Sequence, residues 1–127
     1  GYNYRMPNIN AALGCAQLEN LDRYVADKRE TAACYAEFFK GKEDITFFTE
    51  PADCKSNYWL NAVVLKDKAA QLDFLEYTND HGVMTRPVWE LMNRLPMFEH
   101  CETDGLENTE WLADRVVNIP SSVRLDK

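Results

Sequence analysis

The first third of the chain carries apolar residues at the spacing of a helix. Between Asn8 and Phe39, apolar side chains recur at steps of three, four or seven residues, which places them along one side of a helix. These positions are Leu18, Leu21, Val25, Ala32, Tyr35 and Phe39. Asn20 beside Asp22 offers a second N-cap, so we predict a break near residues 19–21 that divides the run into a short helix and a longer one.

Beyond Gly41, a residue type that commonly ends helices, the period changes to that of β-strands. Ile45–Thr49 is rich in β-forming residues, and Pro51 closes it. Tyr58–Leu65 is apolar at both alternating sets of positions, which predicts a strand buried on both faces at the centre of a sheet. Asn61 is the polar exception in that strand.

The rest of the chain alternates helical and extended patterns. The predicted elements are a helix at Lys68–Asp80, a short strand at Val83–Thr85, a helix from Asn108 or Thr109 to about Arg115, and a strand at Val116–Ile119. Pro87 bars the short strand from a regular central position. The order α-α-β-β-α-β-α-β predicts one layer of sheet with helices packed on it, a fold of the α/β or α+β class.

Composition and charge narrow the class of protein. The 127 residues fit a single domain, and 46% of them are apolar, with 6 Phe, 6 Tyr and 3 Trp available for a core. A formal net charge of −7 has the wrong sign for a phosphate backbone, so we expect no nucleic-acid partner. No apolar run approaches the roughly 18 residues of a membrane span, and the first residues lack the pattern of a signal peptide. We therefore expect a cytoplasmic protein without a membrane partner and, because the sequence does not begin with Met, a piece of a longer one.

Motifs for metal binding, disulfides or catalysis are missing from the sequence. The cysteines at positions 15, 34, 54 and 101 form no C-x-x-C pair, so we expect reduced thiols. His81 and His100 are far apart without a second ligand at helical spacing, so we expect no metal site. No glycine-rich phosphate loop, nucleophile elbow or H-E-x-x-H motif occurs. Pattern and composition alone therefore predict no more than an acidic globular domain.

The amino-acid sequence of the first 18 residues is more informative about the protein family. Gly-Tyr-Asn-Tyr-Arg-Met-Pro-Asn-Ile-Asn-Ala-Ala-Leu-Gly-Cys-Ala-Gln-Leu closely resembles a signature stretch of the DegT/DnrJ/EryC1/StrS family, whose members are pyridoxal-phosphate-dependent sugar-nucleotide aminotransferases. Residues 21–22, 28–30 and 113–122 also match, so the resemblance spans nearly the whole chain. Residues 56–61 and 82–89 look most like the branch that acts on UDP-linked 4-keto-6-deoxy-N-acetyl sugars, which includes the legionaminic-acid and bacillosamine aminotransferases.

The resemblance implies a homodimer of the aspartate-aminotransferase fold. Glutamate would give its amino group to pyridoxal phosphate, and the C4 ketone of a nucleotide-linked keto-deoxy sugar would then receive it. The family's Schiff-base lysine lies upstream of the Gly-Tyr-Asn-Tyr-Arg stretch, whereas every lysine here follows it. The resemblance therefore implies that residues 1–127 are the small C-terminal domain. Residues 1–41 would form a helical segment that leads into a sheet-and-helix part at 42–127. Because the large cofactor-binding domain is missing, we expect this chain alone to be inactive and not to bind the cofactor.

Four residues are candidates for the site. Asn3 matches the family position whose amide reaches the cofactor phosphate of the partner subunit, and a turn or helix-cap role is the alternative. Arg5 matches a position near the active-site entrance, where a guanidinium suits a diphosphate, and a surface ion pair is the alternative. Arg86, at a chain bend, and Asn61, polar within an apolar strand, are candidates for contacts to the sugar nucleotide, with a structural role as the alternative for each.

Three further residues and one further function remain open. Trp59 and Trp89 are able to stack on a sugar or base, although a place in the core is the favoured interpretation. Lys28 interrupts the apolar stripe, and we assign it no chemistry. The alternative function is a non-catalytic interaction or dimerisation module. A domain of a larger enzyme is expected to show an uncovered apolar face, whereas a natural module is expected to be monomeric.

Overall fold

The structure is a computed structural model that describes residue 2 and residues 4–124. Its helices are α1 (Asn8–Leu18), α2 (Leu21–Phe39), α3 (Lys68–Asp80) and α4 (Glu107–Ala113). Its strands are β1 (Ile45–Phe47), β2 (Asn61–Leu65), β3 (Arg86–Pro87) and β4 (Val116–Ile119), and a short 3-10 helix occupies Met92–Arg94. The predicted order of elements is confirmed.

The predicted break between the first two helices is confirmed, although Asn20 acts differently from the expectation. Its side-chain Nδ2 donates to the carbonyl of Ala16 at 3.0 Å and so satisfies an acceptor at the end of α1. Its side chain makes no capping bond to α2, whose first turn begins instead with the Tyr24 amide donating to the Asn20 carbonyl. One asparagine thus separates the two helices by ending the first.

The four strands form one antiparallel sheet in the order β1-β2-β4-β3. Val63 of β2 pairs with Val117 of β4, and both side chains are fully buried. The central position predicted for β2 is confirmed. Because the strands are all antiparallel, the α+β description fits this domain.

The boundaries of three predicted strands are wrong. β1 ends at Phe47 rather than at Thr49. β2 begins at Asn61 rather than at Tyr58, because Tyr58 has a φ of 45° and interrupts the extended chain. The third strand is Arg86–Pro87 rather than Val83–Thr85, since the buried Thr85 hydroxyl is bound to Thr78 and holds that segment against α3. A proline is tolerated there because β3 is an edge strand.

The boundaries of the last helix also differ from the prediction. α4 begins at Glu107, after Leu106, so neither Asn108 nor Thr109 is its cap. It ends at Ala113, and the Arg115 side chain donates to the Lys66 carbonyl at 3.0 Å instead of continuing the helix.

The core lies on one face of the sheet. Alternate residues of β2 (Asn61, Val63 and Leu65) are buried, whereas the residues between them are half-buried. Helices α2 and α3 both cover that buried face, through Ala32 and Phe39 of α2 and through Phe74 of α3. The opposite face of β2 is only half-buried, so the prediction that this strand is buried on both faces is wrong.

No helix within the described part of the chain has the length and apolar character needed to cross a membrane. The four cysteines are all free and exposed, and within residue 2 and residues 4–124 no group of three His, Cys, Asp or Glu side chains is placed to hold a metal ion.

Candidate functional site

A groove of about 740 Å³ lies at one end of the sheet, where β2 begins and β4 ends. Its walls are formed by residues 59–60, 84, 86–89 and 118–122, and Lys28 reaches it from α2. A volume of this size suits a small-molecule ligand. The groove therefore combines four segments that are distant in the sequence and that the sheet and helix α2 bring together.

Two tryptophans stand exposed at this groove. The residue exposure is 64% for Trp59 and 85% for Trp89, so the favoured interpretation of both as core residues is wrong. Trp59 precedes β2, and Trp89 follows β3. Exposed indole faces next to polar groups are suited to stack on a sugar ring or a nucleobase.

Two cations line the groove, and no Asp or Glu side chain does so among the described residues. The Arg86 guanidinium makes a single short contact there, to the Met84 sulfur at 3.5 Å, and pairs with no described carboxylate. This local positive charge stands in a protein whose formal net charge is −7. A guanidinium without a carboxylate partner is a suitable fork for a diphosphate.

Lys28 is the second cation, and the structure gives it a definite position. Its ammonium donates to the carbonyl of Ser121, and at 3.5 Å to the carbonyl of Trp59. The ammonium carries three N–H donors. Lys28 therefore joins the segment before β2 to the segment after β4 and places a positive charge at the groove.

The turn that follows β4 is held by Ser121. Its hydroxyl accepts from the Asn61 amide at 2.7 Å and donates to the Ile119 carbonyl at 2.7 Å. This hydroxyl therefore fixes residues 119–122 against the start of β2. The groove wall at this end is thus a turn in which the backbone N–H of Asn61 and the carbonyl of Ile119 are both hydrogen-bonded to Ser121.

The structure places the four predicted site residues in different surroundings. Arg86 lies in the groove, and Arg5 lies exposed in the segment before α1, outside the groove. Asn61 is only 1% exposed and faces the helices, and its side-chain amide has no hydrogen-bond partner among the described residues. Asn3 lies outside the residues that the structure describes.

Sequence reasoning missed Lys28 and undervalued the two tryptophans. The signal for Lys28 was its interruption of an otherwise apolar helix stripe, which is unusual for a solvated lysine. Nothing in the local pattern indicated that the carbonyls of Trp59 and Ser121 would meet its ammonium.

A second groove of about 690 Å³ lies between α3 and the β1–β2 edge of the sheet. Its charged side chains are mainly acidic: Glu43, Asp44, Asp67 and Asp73 against Lys66. An anionic ligand is disfavoured there by like-charge repulsion. The groove with Lys28 and Arg86 is therefore the better candidate for a phosphorylated ligand.

The residues of the candidate groove do not fit pyridoxal phosphate itself. That cofactor requires a lysine for the Schiff base and an acidic or other polar partner for the pyridine nitrogen. No carboxylate lines the groove within the described residues, and the Lys28 ammonium is engaged by two backbone carbonyls. These residues are suited to a substrate's anionic and aromatic groups rather than to the cofactor ring.

Comparison with known proteins gives a consistent result. The model of the DegT/DnrJ/EryC1/StrS aminotransferase family matches residues 1–127. The chain is 31% identical to GDP-perosamine synthase of Escherichia coli O157:H7 over 123 residues, which is 95% of this chain and 32% of that protein. It is also 31% identical to the putative pyridoxal phosphate-dependent aminotransferase EpsN of Bacillus subtilis (strain 168), over 95% of this chain and 32% of that protein. The chain thus spans about a third of the length of these relatives.

Solved structures agree with the sequence relatives. The sugar aminotransferase CalS13 from Micromonospora echinospora superimposes with a TM-score of 0.83 and 26% identity, over 100% of this chain and 33% of that one. The aminotransferase PseC of Helicobacter pylori, involved in the biosynthesis of pseudaminic acid, superimposes with a TM-score of 0.89 and 20% identity, over 99% of this chain and 35% of that one. The second likeness establishes the fold alone.

Proposed function

This chain belongs to the DegT/DnrJ/EryC1/StrS aminotransferase family, and from that premise we propose that it is the small C-terminal domain of a sugar-nucleotide aminotransferase. The family is one of pyridoxal-phosphate-dependent enzymes. The whole enzyme would move an amino group from glutamate to the C4 ketone of a nucleotide-linked keto-deoxy sugar, in the synthesis of bacterial surface polysaccharides or glycans. The observation that carries the proposal is the groove, which combines two cations, two exposed indoles and no described carboxylate.

Each groove residue has a task that follows from its chemistry. Arg86 would bind the diphosphate through two parallel N–H donors, since its guanidinium is unpaired by any described carboxylate. Lys28 would add a point charge at the groove. Trp59 and Trp89 would offer flat faces for the base or the sugar. Together these side chains would bind and orient a substrate whose reacting carbon lies beyond them.

The remaining predicted residues stay proposals that rest on the family. Asn3 would donate to the cofactor phosphate across a homodimer interface, and Arg5 would lie near the active-site entrance. Asn61 would contact the sugar nucleotide only if its buried amide became accessible, and its present surroundings give this assignment no support. A cytoplasmic location fits an enzyme of nucleotide-sugar metabolism and is likewise a proposal.

We also propose that residues 1–127 are inactive by themselves. None of the seven lysines (28, 40, 42, 55, 66, 68 and 127) matches the family's Schiff-base position. The groove residues do not fit the cofactor ring. Supplying pyridoxal phosphate, glutamate and a keto-sugar nucleotide to this chain should give no transamination, and measurable turnover would refute the assignment.

An interaction or dimerisation module is the alternative function, and one observation bears on it. Several large apolar residues near the N-terminal end are exposed, and helix α1 has no buried residue. These exposed residues are Tyr2, Tyr4, Met6, Ile9 and Leu13. A natural monomeric module does not leave so many large apolar side chains in water. This surface supports the interpretation as a domain that packs against a larger protein.

The test of the proposed function is binding of UDP to the full polypeptide that carries these residues, measured by titration calorimetry. Arg86→Gln should weaken binding roughly tenfold or more, because one charge-assisted contact to phosphate contributes on the order of 1.5–3 kcal/mol. Arg23→Gln is the matched control, since Arg23 lies over the Tyr24 ring away from the groove. Equal affinity for UDP in both variants would contradict the assignment of the groove.

A further inference from the structure

The segment from 48 to 60 connects β1 to β2 and brings Trp59 and Leu60 to the groove. It contains no helix or strand, yet its path is strained. Tyr58 has a φ of 45°, in the left-handed region that bulky side chains rarely adopt. Such a conformation persists only where the surrounding contacts over-determine it, and it recurs at ligand-binding sites. The contacts around Tyr58 therefore decide where Trp59 points.

An ion pair between α2 and this segment supplies the first of these contacts. Arg29 Nη2 donates to Glu50 Oε1 at 2.7 Å, and Arg29 Nη1 donates to Glu50 Oε2 at 3.0 Å. The same Nη1 donates to the Ser56 carbonyl at 2.6 Å, and Glu50 Oε2 accepts from the Ser56 amide at 2.5 Å. A two-point guanidinium–carboxylate pair is both stronger and more directional than a single contact. Arg29 and Glu50 thus hold both ends of the turn that precedes Tyr58.

Tyr58 itself is held from three sides. Its hydroxyl accepts from the Glu50 amide at 3.2 Å, and its own amide donates to the Ser56 hydroxyl at 3.0 Å. The Arg29 guanidinium lies 5.6 Å from the centre of its ring, within the range of a cation–π contact. Every one of these partners belongs to the Arg29–Glu50–Ser56 cluster. The strained residue is therefore kept in place by the ion pair and its neighbours.

The position of the next residue, Trp59, depends on these contacts. Lys28 directly precedes Arg29 on α2, and its ammonium reaches the Trp59 carbonyl. Two successive basic residues of α2 thus hold this segment. Arg29 binds it at Ser56, before the groove, and Lys28 binds it at Trp59, in the groove wall. A movement of Tyr58 would displace Trp59 with it, because the two are joined by one peptide unit.

We propose that Glu50 and Arg29 are positioning residues that hold the strained Tyr58 turn and so present Trp59 and Leu60 as one wall of the groove. Neither side chain lines the groove. The consequence for ligand affinity rests on the function proposed above. The consequence for the conformation of residues 56–59 does not.

The first arm of the test is hydrogen exchange of individual amides in the full polypeptide. Glu50→Gln replaces a charged two-point acceptor by an amide that accepts at one atom only. Exchange at the Ser56, Tyr58 and Trp59 amides should then accelerate about tenfold, whereas the Val117 amide in the core of the sheet should accelerate distinctly less. Unchanged exchange at residues 56–59 would overturn the proposal. Equal acceleration at Val117 would also overturn it, because the pair would then stabilise the fold generally rather than this turn.

Arg29→Lys is the second variant, in case Glu50→Gln does not fold. It keeps the charge but cannot form the two parallel bonds, so it should accelerate the same amides. The double variant should be no worse than the stronger single one, because both changes remove the same contact. Asp44→Asn is the matched control: it also converts a carboxylate to an amide in a 3.0 Å ion pair, with Lys66, and Asn tolerates the φ of 64° at that position. If the effects of Glu50→Gln and Arg29→Lys on the exchange rates were fully additive, a shared role of the two residues would be contradicted.

The second arm measures the affinity for UDP in the same proteins. Glu50→Gln should weaken binding about tenfold, and Asp44→Asn should leave it unchanged. Equal affinity in Glu50→Gln and the unsubstituted protein, despite a loosened turn, would overturn the positioning role. If UDP does not bind, the same comparison is made with GDP and dTDP. If the unsubstituted protein binds none of the three, the proposed function fails, and the exchange arm alone decides whether the Arg29–Glu50 pair sets the Tyr58 turn.

Discussion

Arg86 and Lys28 reach the candidate groove from distant parts of the chain, one from an edge strand and one from the second helix. Arg86 was a candidate from its place at a chain bend, and the structure puts it in the groove. For Lys28, the sequence showed only that a charged residue interrupts an apolar helix stripe, and no role was predicted for it. A single residue's chemistry is visible in a sequence, but the atoms that surround it are not, which explains this difference.

Glu50 offers a residue-scale prediction about acid stability. The paired Arg29 guanidinium and the Ser56 amide lower the pKa of Glu50 from 4.5 to about 2. A carboxylate with a lowered pKa in the folded state stabilises the fold above its unfolded-state pKa, and this contribution is lost as the pH falls from about 4.5 to about 2. Glu50→Gln should therefore lower the unfolding temperature at pH 7, and the difference should shrink steadily below pH 4.5.

The measurement is thermal unfolding followed by circular dichroism between pH 7 and pH 2.5. Glu37→Gln is the control, because the Glu37 side chain is 79% exposed and its contact with Lys40 is 3.6 Å long. That variant should change the unfolding temperature little at any pH. A difference between Glu50→Gln and the unsubstituted protein that stays constant down to pH 2.5 would contradict the cause given for the low pKa.

At the scale of elements, the first three helices were predicted more accurately than α4 and the ends of β1, β2 and β3. The break between α1 and α2 and both limits of α3 follow from local signals: an asparagine, and the 3.6-residue period between Lys68 and Asp80. The start of β2 and the position of β3 depend instead on Tyr58 and Thr85, whose conformations are set by partners elsewhere in the fold. Local propensity cannot report such partners.

The sheet allows a prediction about which face carries the core. Val63→Ala removes two buried methyl groups beneath the helices, and it should lower the free energy of unfolding by about 2 kcal/mol from the transfer and cavity costs. Val64→Ala, on the neighbouring half-buried position of the same strand, should cost less than half as much. Urea unfolding of both variants checks this, and equal costs would mean that the two faces contribute alike.

At the scale of the whole molecule, the most informative feature is the apolar surface at the N-terminal end. Tyr2 and Tyr4 are about nine-tenths exposed, and Ile9 and Leu13 are also mainly in water. Ile9 and Leu13 are four residues apart and therefore neighbours on one side of α1. A surface of this composition favours burial against other protein.

This surface predicts that residues 1–127 self-associate when they are produced alone. Substituting Ile9→Lys and Leu13→Lys together should shift the protein toward monomer without unfolding it, because neither side chain is buried. Sedimentation velocity in reducing buffer measures this, since the four exposed thiols would otherwise allow intermolecular disulfides. Leu72→Lys, on the exposed side of α3, is the control and should leave the association unchanged. A strictly monomeric unsubstituted chain would contradict the prediction and favour the interaction-module alternative.

The sequence by itself determined the class of fold, the order of the elements, the central strand and, through the motif at residues 1–18, the family. Each of these depends on near neighbours in the chain, on the period of apolar residues or on a contiguous motif. Only the tertiary structure decided that Trp59 and Trp89 are exposed, that Asn61 is buried beneath the helices, and that Lys28 joins Arg86 in one groove. Those outcomes depend on which residues the antiparallel sheet brings together from distant segments, and that information is not held in any local stretch of sequence.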